Sequence, residues 1–211
     1  MKLTVLGATG ATGEQIVRYG LVAGHEVTVV VRRPEAVRVA DPRLRVITGD
    51  VLQPESLAPG IAGADAVLSA LGSRTMRQPT TVYSAGTAAV LGAMRDAGVR
   101  RFVGITAAPV GSRAQQSALD RYLVHPLLWW TFGAVYADMR RMEALVAAGD
   151  RDWTVFRPPR LTNAAATGRY RLAVDAPLPR AWTVSRADLA AAMVAAVHDP
   201  ALVGHAVSIA A

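Results

Sequence analysis

The 211-residue chain contains no cysteine, one lysine (Lys2) and few aromatics, 6% in all. Without thiols there is no disulfide and no thiolate chemistry; a reducing compartment is permitted, and a cytoplasmic location is the expectation. No apolar run reaches the ~20 residues of a membrane span. The most apolar segment, Tyr122 to Ala137, is interrupted by His125, Pro126 and Gly133. A strand pattern already occupies the first residues, so no signal peptide is expected ahead of it. The four histidines, His25, His125, His198 and His205, lie far apart without ligand-like spacing, and no metal site is expected. A Gly-x-x-x-x-Gly-Lys loop is also missing, which argues against nucleoside triphosphate hydrolysis.

What is present suits a well-buried core: 52% apolar and 18% charged residues. The length fits a single domain over 1–211, with residues from about 163 onward forming a small C-terminal lobe. Net charge is +7, almost wholly arginine, in small groups such as Arg32-Arg33, Arg100-Arg101 and Arg140-Arg141. There is no basic run and no aromatic interleaving, so nucleic acid is not the expected partner. Arginine forks suit phosphate and carboxylate, and an anionic small molecule is.

The organising stretch is Lys2 to Gly13. A short apolar strand (Leu3, Val5, Leu6) runs into glycines at 7, 10 and 13, and a helical pattern follows from Glu14 to Ala23. Bare glycines let a pyrophosphate approach the main chain, and the N–H groups opening the next helix point at that anion. Gly7, Thr9, Gly10, Ala11, Thr12 and Gly13 are therefore candidate cofactor contacts. Their spacing is Gly-x-x-Gly-x-x-Gly, not the common Gly-x-Gly-x-x-Gly fingerprint.

Glu26 to Val31 is a continuous β-branched strand, completing a βαβ unit. The residue at its end discriminates between cofactors: an acid accepts from the ribose 2′-hydroxyl of NAD, an arginine meets the 2′-phosphate of NADP. Arg32 stands there with Arg33 beside it, and NADP(H) is favoured; two solvated arginines at a strand end would look the same. Leu44 to Thr48 is a third strand. Beyond it Asp50 and Val51 are candidate adenine contacts, with a plain turn as the alternative for Asp50. Gln53 to Gly60 reads as a short helix and Ala64 to Leu71 as a fourth strand. Ala70, Leu71 and Gly72 would let the middle of the cofactor lie against that strand end.

Thr80 to Ala97 reads as a long helix ended at Gly98. Arg101 to Thr106 is a fifth strand whose end, Thr106 and Ala107, faces the crevice. Ser112 to Gly149 holds two helical patterns around Pro126, and its Trp129, Trp130, Phe132 and Tyr136 suit core, a subunit contact or a substrate wall. His125 suits a structural role or proton donation. Asp152 to Phe156 is a sixth strand. Gly168 to Val174 and Trp182 to Val184 look like short strands, Ser185 to Val197 is a helix opened by the capping box Ser185-x-x-Asp188, and His205 to Ile209 is the last strand. The fold expected is α/β: a Rossmann-like, doubly wound parallel sheet with a small C-terminal substrate lobe.

With these pieces placed, the chain resembles the atypical branch of the short-chain dehydrogenase/reductase superfamily over nearly its whole length. The likeness rests on Gly7-Ala8-Thr9-Gly10-Ala11-Thr12-Gly13, Val31-Arg32-Arg33, Gly49-Asp50-Val51, Asp65-Ala66-Val67, Phe156-Arg157-Pro158-Pro159 and Ser185-Arg186-Ala187-Asp188-Leu189. Within that branch it is most similar to NADPH-dependent flavin and biliverdin-IXβ reductases and to nitrogen-metabolite-repressor-like NADP sensors. The resemblance implies NADP(H) binding and adds Arg157 and Pro158 to the candidate cofactor contacts.

The departures are informative. Typical members carry Tyr-x-x-x-Lys, in which lysine lowers the tyrosine pKa. Here Tyr136 and Arg140 have that spacing, but setting Glu143 four residues past the lysine slot puts Met139 and Val135 in the two positions instead. Tyr136 is the candidate catalytic acid on the first alignment, and none is assigned on the second. A hydroxyl residue often follows the threonine at the end of strand five, and here it is Ala107. Three activities fit: NADPH-dependent hydride transfer to a planar conjugated small molecule such as a flavin, bilin or quinone; a non-enzymatic NADP(H)-binding redox sensor; and an isomerase or epimerase with tightly held NAD(P). A monomer or homodimer is expected, with Leu127 to Tyr136 as a candidate contact.

Overall fold

Strand β2 (Glu26–Val31) is apolar on both faces because both are covered, and it sits one place in from the edge of a sheet, parallel to both of its neighbours. The computed structural model describes residues 1–73, 75, 78–111, 122 and 125–211. Besides β2, its sheet contains β1 (Lys2–Leu6), β3 (Leu44–Thr48), β4 (Ala66–Ser69), β5 (Arg101–Ile105), β6 (Asp152–Arg157), β8 (Arg171–Val174) and β10 (His205–Ala210). The spatial order is β3-β2-β1-β4-β5-β6-β10-β8, and β8 alone runs antiparallel, against β10. A second, two-stranded sheet pairs β7 (Arg160–Thr162) with β9 (Thr183–Ser185).

Helices cover both faces. On one, Ile16, Val17 and Leu21 of α1 (Ala11–Val22) pack with Leu189 and Met193 of α5 (Arg186–Ala196) against Leu3, Val5 and Val29. On the other, α3 (Ser84–Asp96) and α4 (His125–Ala148) bury Val90, Met94, Met139, Met142 and Val146 against Leu6, Val67 and Phe102. At roughly 25 cal/mol per Å² of apolar surface removed from water, these two layers dominate the stabilisation. The doubly wound parallel sheet is the expected architecture. Among the described residues no helix is long and apolar enough to cross a membrane.

Local departures have local causes. The helix expected over Gln53 to Gly60 breaks into a 3-10 turn at Pro54–Ser56 and a single α-turn, α2 (Ala58–Ile61), because Pro54 and Pro59 each remove a backbone donor. The helix expected from Thr80 starts at Ser84, where the buried carboxylate of Asp138 accepts from the N–H groups of Tyr83 (3.0 Å) and Ser84 (3.3 Å) and from the Ser84 hydroxyl. That cap lies 54 residues away in sequence. Of the two helical patterns around Pro126, the second is α4, with Pro126 in its first turn; most of the first lies outside the described residues.

The chain beyond 163 divides between two tasks. Strands β8 and β10 extend the main sheet and α5 joins the α1 layer, while β9, paired with the preceding β7, and residues 175–182 lie over the carboxyl end of the sheet. Asp188 ties the two together. Its N–H donates to the Ser185 hydroxyl oxygen (2.9 Å), as a capping box requires. Its carboxylate does not reach back to the Ser185 N–H; it accepts from Thr167 N (2.9 Å), Gly168 N (2.9 Å), Thr167 Oγ1 (3.2 Å) and Ser185 Oγ (2.8 Å).

Candidate functional site

The chain runs from β1 outward to β2 and β3, then returns to β4, β5 and β6 on the other side. Between β1 and β4 the order reverses, and in such sheets ligands sit at the carboxyl ends of the strands at that point. A cleft of about 2200 Å³ opens there, lined from Arg32 at one end to Trp182 and Thr183 at the other.

Its floor is the turn after β1. Gly7 has φ +75°, and a Cβ on it would lie 2.3 Å from the carbonyl oxygen of Ala70. The turn closes when Gly10 N–H donates to Gly7 C=O at 3.0 Å. Gly13 is buried and is not among the residues lining the cleft; a Cβ there would stand 2.1 Å from Gly7 O, so its bareness keeps α1 tight against the turn. The N-cap Gly10 supplies no side-chain acceptor, leaving the first N–H groups of α1 directed at the cleft that Thr9, Gly10, Ala11 and Thr12 line. A linked pair of phosphates fits this bare, electropositive edge.

Beyond β2, Arg32 and Arg33 are exposed on the cleft, with Arg38 and Glu35 nearby. Nothing in the sequence marks Arg38, because it belongs to the loop after Pro34–Ala36, where no spacing rule applies. Val51, Leu71 and Gly72 form an apolar wall with Tyr83, whose phenol oxygen accepts from Ser73 N at 3.3 Å. Asp50 serves the turn with one oxygen: Oδ1 accepts from Leu52 N at 3.0 Å. Its residue lines the cleft as well, so the turn role and a ligand role are compatible in space.

At the end of β5 and β6 the residues converge more closely than the sequence suggested. Thr106 donates from Oγ1 to Glu143 Oε1 at 2.6 Å, and Arg157 clamps the same carboxylate through Nε (3.0 Å) and Nη2 (2.6 Å). Thr106, Ala107, Arg157 and Pro158 all line the cleft. In the sequence Glu143 is only an alignment landmark; its Arg157 partner, 14 residues on, has no local signature.

Tyr136 also lines the cleft, among Phe132, Leu128 and Met139. Its proposed helper does not reach it. The Arg140 guanidinium lies over the Trp129 ring, 4.2 Å from the centroid, and donates to Val110 C=O at 3.4 Å. Burial, with the neighbouring Tyr83 adding to it, pushes the Tyr136 phenol above its ordinary value. The pair therefore does not work as a lysine-activated tyrosine. His125, buried, stacks on Trp129 and sits 3.0 Å by Nε2 from Pro109 C=O. Of the expected subunit-contact segment, Leu127 and Trp130 are exposed, Trp130 at 87%.

The NAD(P)H-binding family model matches residues 7–200. Among curated relatives, a chloroplastic protein of Arabidopsis thaliana is 32% identical over 176 residues, 79% of this chain and 61% of that protein. The 3-diazoavenalumate denitrifying reductase of a Streptomyces species is 30% identical over 172 residues, 74% of this chain and 55% of that protein. The chain thus spans less than two thirds of either relative. Among solved structures, the anaerobilin reductase ChuY of Escherichia coli O157:H7 superposes with a TM-score of 0.82 at 21% identity, covering 100% of this chain and 97% of that one.

Proposed function

The chain belongs to the NAD(P)H-binding family, and we infer that it is an oxidoreductase of the atypical short-chain dehydrogenase/reductase type, an NADPH-dependent reductase of planar, conjugated small molecules of the flavin, bilin or quinone kind. The observation that carries this reading is continuity. One cleft joins an arginine pair at its β2 end, a bare glycine turn at its middle and, beyond them, the aromatic side chains of Phe132, Tyr136 and Trp182.

In this reading the N–H groups of the glycine turn and the start of α1 hold the pyrophosphate. Arg32 and Arg33 take the 2′-phosphate through charge-assisted bonds, which distinguishes NADP(H) from NAD(H). Val51 and Leu71 flank the adenine half, while Thr106, Ala107, Arg157 and Pro158 border the nicotinamide half. The dinucleotide, when bound, supplies hydride. Ala107 and Pro158 line the cleft with small and apolar side chains beside which a flat acceptor can lie, and Phe132 and Tyr136 add apolar surface to it. Acceptors with extended conjugation take their proton from solvent, consistent with a Tyr136 that has no cationic neighbour among the described residues to acidify it. The name of the Streptomyces relative, a reductase, supports reduction as the chemistry.

The test is oxidation of NADPH by purified protein with flavins, quinones and bilins, followed at the nicotinamide absorbance band. Turnover well above the protein-free rate with at least one class supports the reading; none with any class rejects it for those acceptors. A second reading, a redox sensor, is favoured by the commitment of the Thr106 proton to Glu143 and by the missing hydroxyl at Ala107. It predicts tight dinucleotide binding by calorimetry with no turnover.

A further inference from the structure

We propose that the cleft has a second anion-binding station, at the end remote from Arg32, in which Arg160, Arg180 and Arg186 recognise a carboxylate or phosphate carried by the acceptor. The proposal rests on the reading of that end as the acceptor's place, and deepens it by assigning the acceptor's charge.

The argument begins with pairing. Where an arginine serves the fold it finds a carboxylate or several carbonyls; Arg157 does so on Glu143, and Arg100 on Asp152. The three at the far end do not. Arg160 and Arg180 line the cleft with no side-chain partner among the described residues. Arg186 donates through Nη1 to two neutral oxygens, Asn163 Oδ1 at 2.7 Å and Leu161 C=O at 3.5 Å. These contacts orient its guanidinium and leave its charge uncompensated.

Of the two nearby carboxylates, Asp175 lines the same cleft and Asp188 does not. Asp175 bonds His205 Nδ1 at 2.5 Å and accepts from Ala206 N at 3.0 Å. Asp188 is buried beneath the lobe on Thr167 and Gly168. Three like charges gathered around one concave surface raise the local potential, which is unfavourable to the fold and attractive to an anion.

The platform is also held in place. Arg160 opens β7 and pairs with Thr183 of β9, and Arg186 follows directly after β9. Arg180 has φ 54°, a backbone conformation non-glycine residues seldom adopt, and Arg171 braces that turn from outside through the carbonyls of Pro179 (2.9 Å) and Arg180 (3.4 Å). This turn, held by a neighbouring guanidinium, places Arg180 on the exposed rim of the cleft.

The cofactor does not account for this group. Its own charges are its phosphates, which belong with the glycine turn and Arg32, whereas the nicotinamide end carries none that needs an arginine. Trp182, 62% exposed on the same rim, adds a flat apolar surface beside the charge. The ligand chemistry that matches is a planar ring system with one acidic substituent.

The experiment uses matched fluorescent probes that share a ring and differ in charge: riboflavin against FMN, and 7-hydroxycoumarin against 7-hydroxycoumarin-3-carboxylate. Each is titrated against the full chain, with and without saturating NADP+. The acidic member of each pair is expected to bind about tenfold tighter with NADP+ present, the advantage shrinking with added salt. In Arg160→Gln, and in the double variant Arg160→Gln/Arg186→Gln, that advantage should fall to about twofold or less while the neutral member binds as before. Equal affinity within both pairs, failure of all four probes to bind included, overturns the proposal. So does a preference that survives in the double variant, or one seen only without NADP+, which would place the anion on the Arg32 side. Loss of the reductase reading would look different: a retained charge preference with no NADPH oxidation by any acceptor.

Discussion

The hydroxyl of Thr106 donates to the carboxylate of Glu143 at 2.6 Å, and through it the end of β5 is fastened to the last third of α4. Arg157 completes the clamp from β6. Removing the carboxylate leaves Arg157 half-buried without its partner and frees Thr106 to rotate. Glu143→Ala should therefore lower unfolding free energy by about 2–4 kcal/mol in denaturant titration. Glu143→Gln, which keeps an acceptor for Thr106, should recover about half of that. Equal losses would mean that charge, not the hydrogen bond to Thr106, carries the effect.

Cofactor preference is read at the end of β2. Arg32→Glu removes a charge-assisted contact and adds repulsion, so NADPH binding should weaken by about 2–4 kcal/mol, with NADH affected far less. Isothermal calorimetry with both nucleotides measures the difference; equal losses would mean that Arg32 does not read the 2′-phosphate.

Tyr136 provides the sharpest test of the chemistry. Its phenol is pushed up by burial and Arg140 is committed to Trp129. Tyr136→Phe should leave kcat within about threefold, and the pH profile of kcat should keep its shape. A drop of about a hundredfold or more would restore the tyrosine as general acid.

The glycine turn predicts a steric effect separable from binding. Gly7→Ala sets a methyl group 2.3 Å from Ala70 O and forces an L side chain to φ +75°. Expected is a loss of about 1–3 kcal/mol in stability together with loss of dinucleotide binding. Gly63, also at positive φ but with open space around it, should tolerate alanine at a smaller cost and keep binding.

Asp188 links the lobe to acid stability. Burial alone would raise its pKa, but hydrogen bonds from Ser185, Gly168 and Thr167 outweigh it and hold the carboxyl below its ordinary value. Because the folded value is the lower one, its contribution is present above about pH 4 and lost as pH falls through the folded value. Asp188→Asn should cost about 1–3 kcal/mol at neutral pH, with the gap to wild type narrowing below about pH 4 in thermal melts.

Strand–turn–helix order, the Gly7-to-Gly13 turn, the arginines at the end of β2 and the parallel sheet were all legible from residue order, because each depends on neighbours a few positions apart. Periodicity marks a covered strand, and a missing Cβ marks a close approach, wherever the rest of the chain goes. Other features required the chain to meet itself. The cap on α3 comes from Asp138, the fate of Arg140 from Trp129, the Thr106 clamp from Glu143 and Arg157, and the unpaired arginine group from the sheet of β7 and β9. Spacing alone made Tyr136 and Arg140 a pair; only the packed helix determined that the guanidinium prefers an aromatic face, since a side chain's partner is selected by what three-dimensional packing brings within reach and not by its distance along the chain.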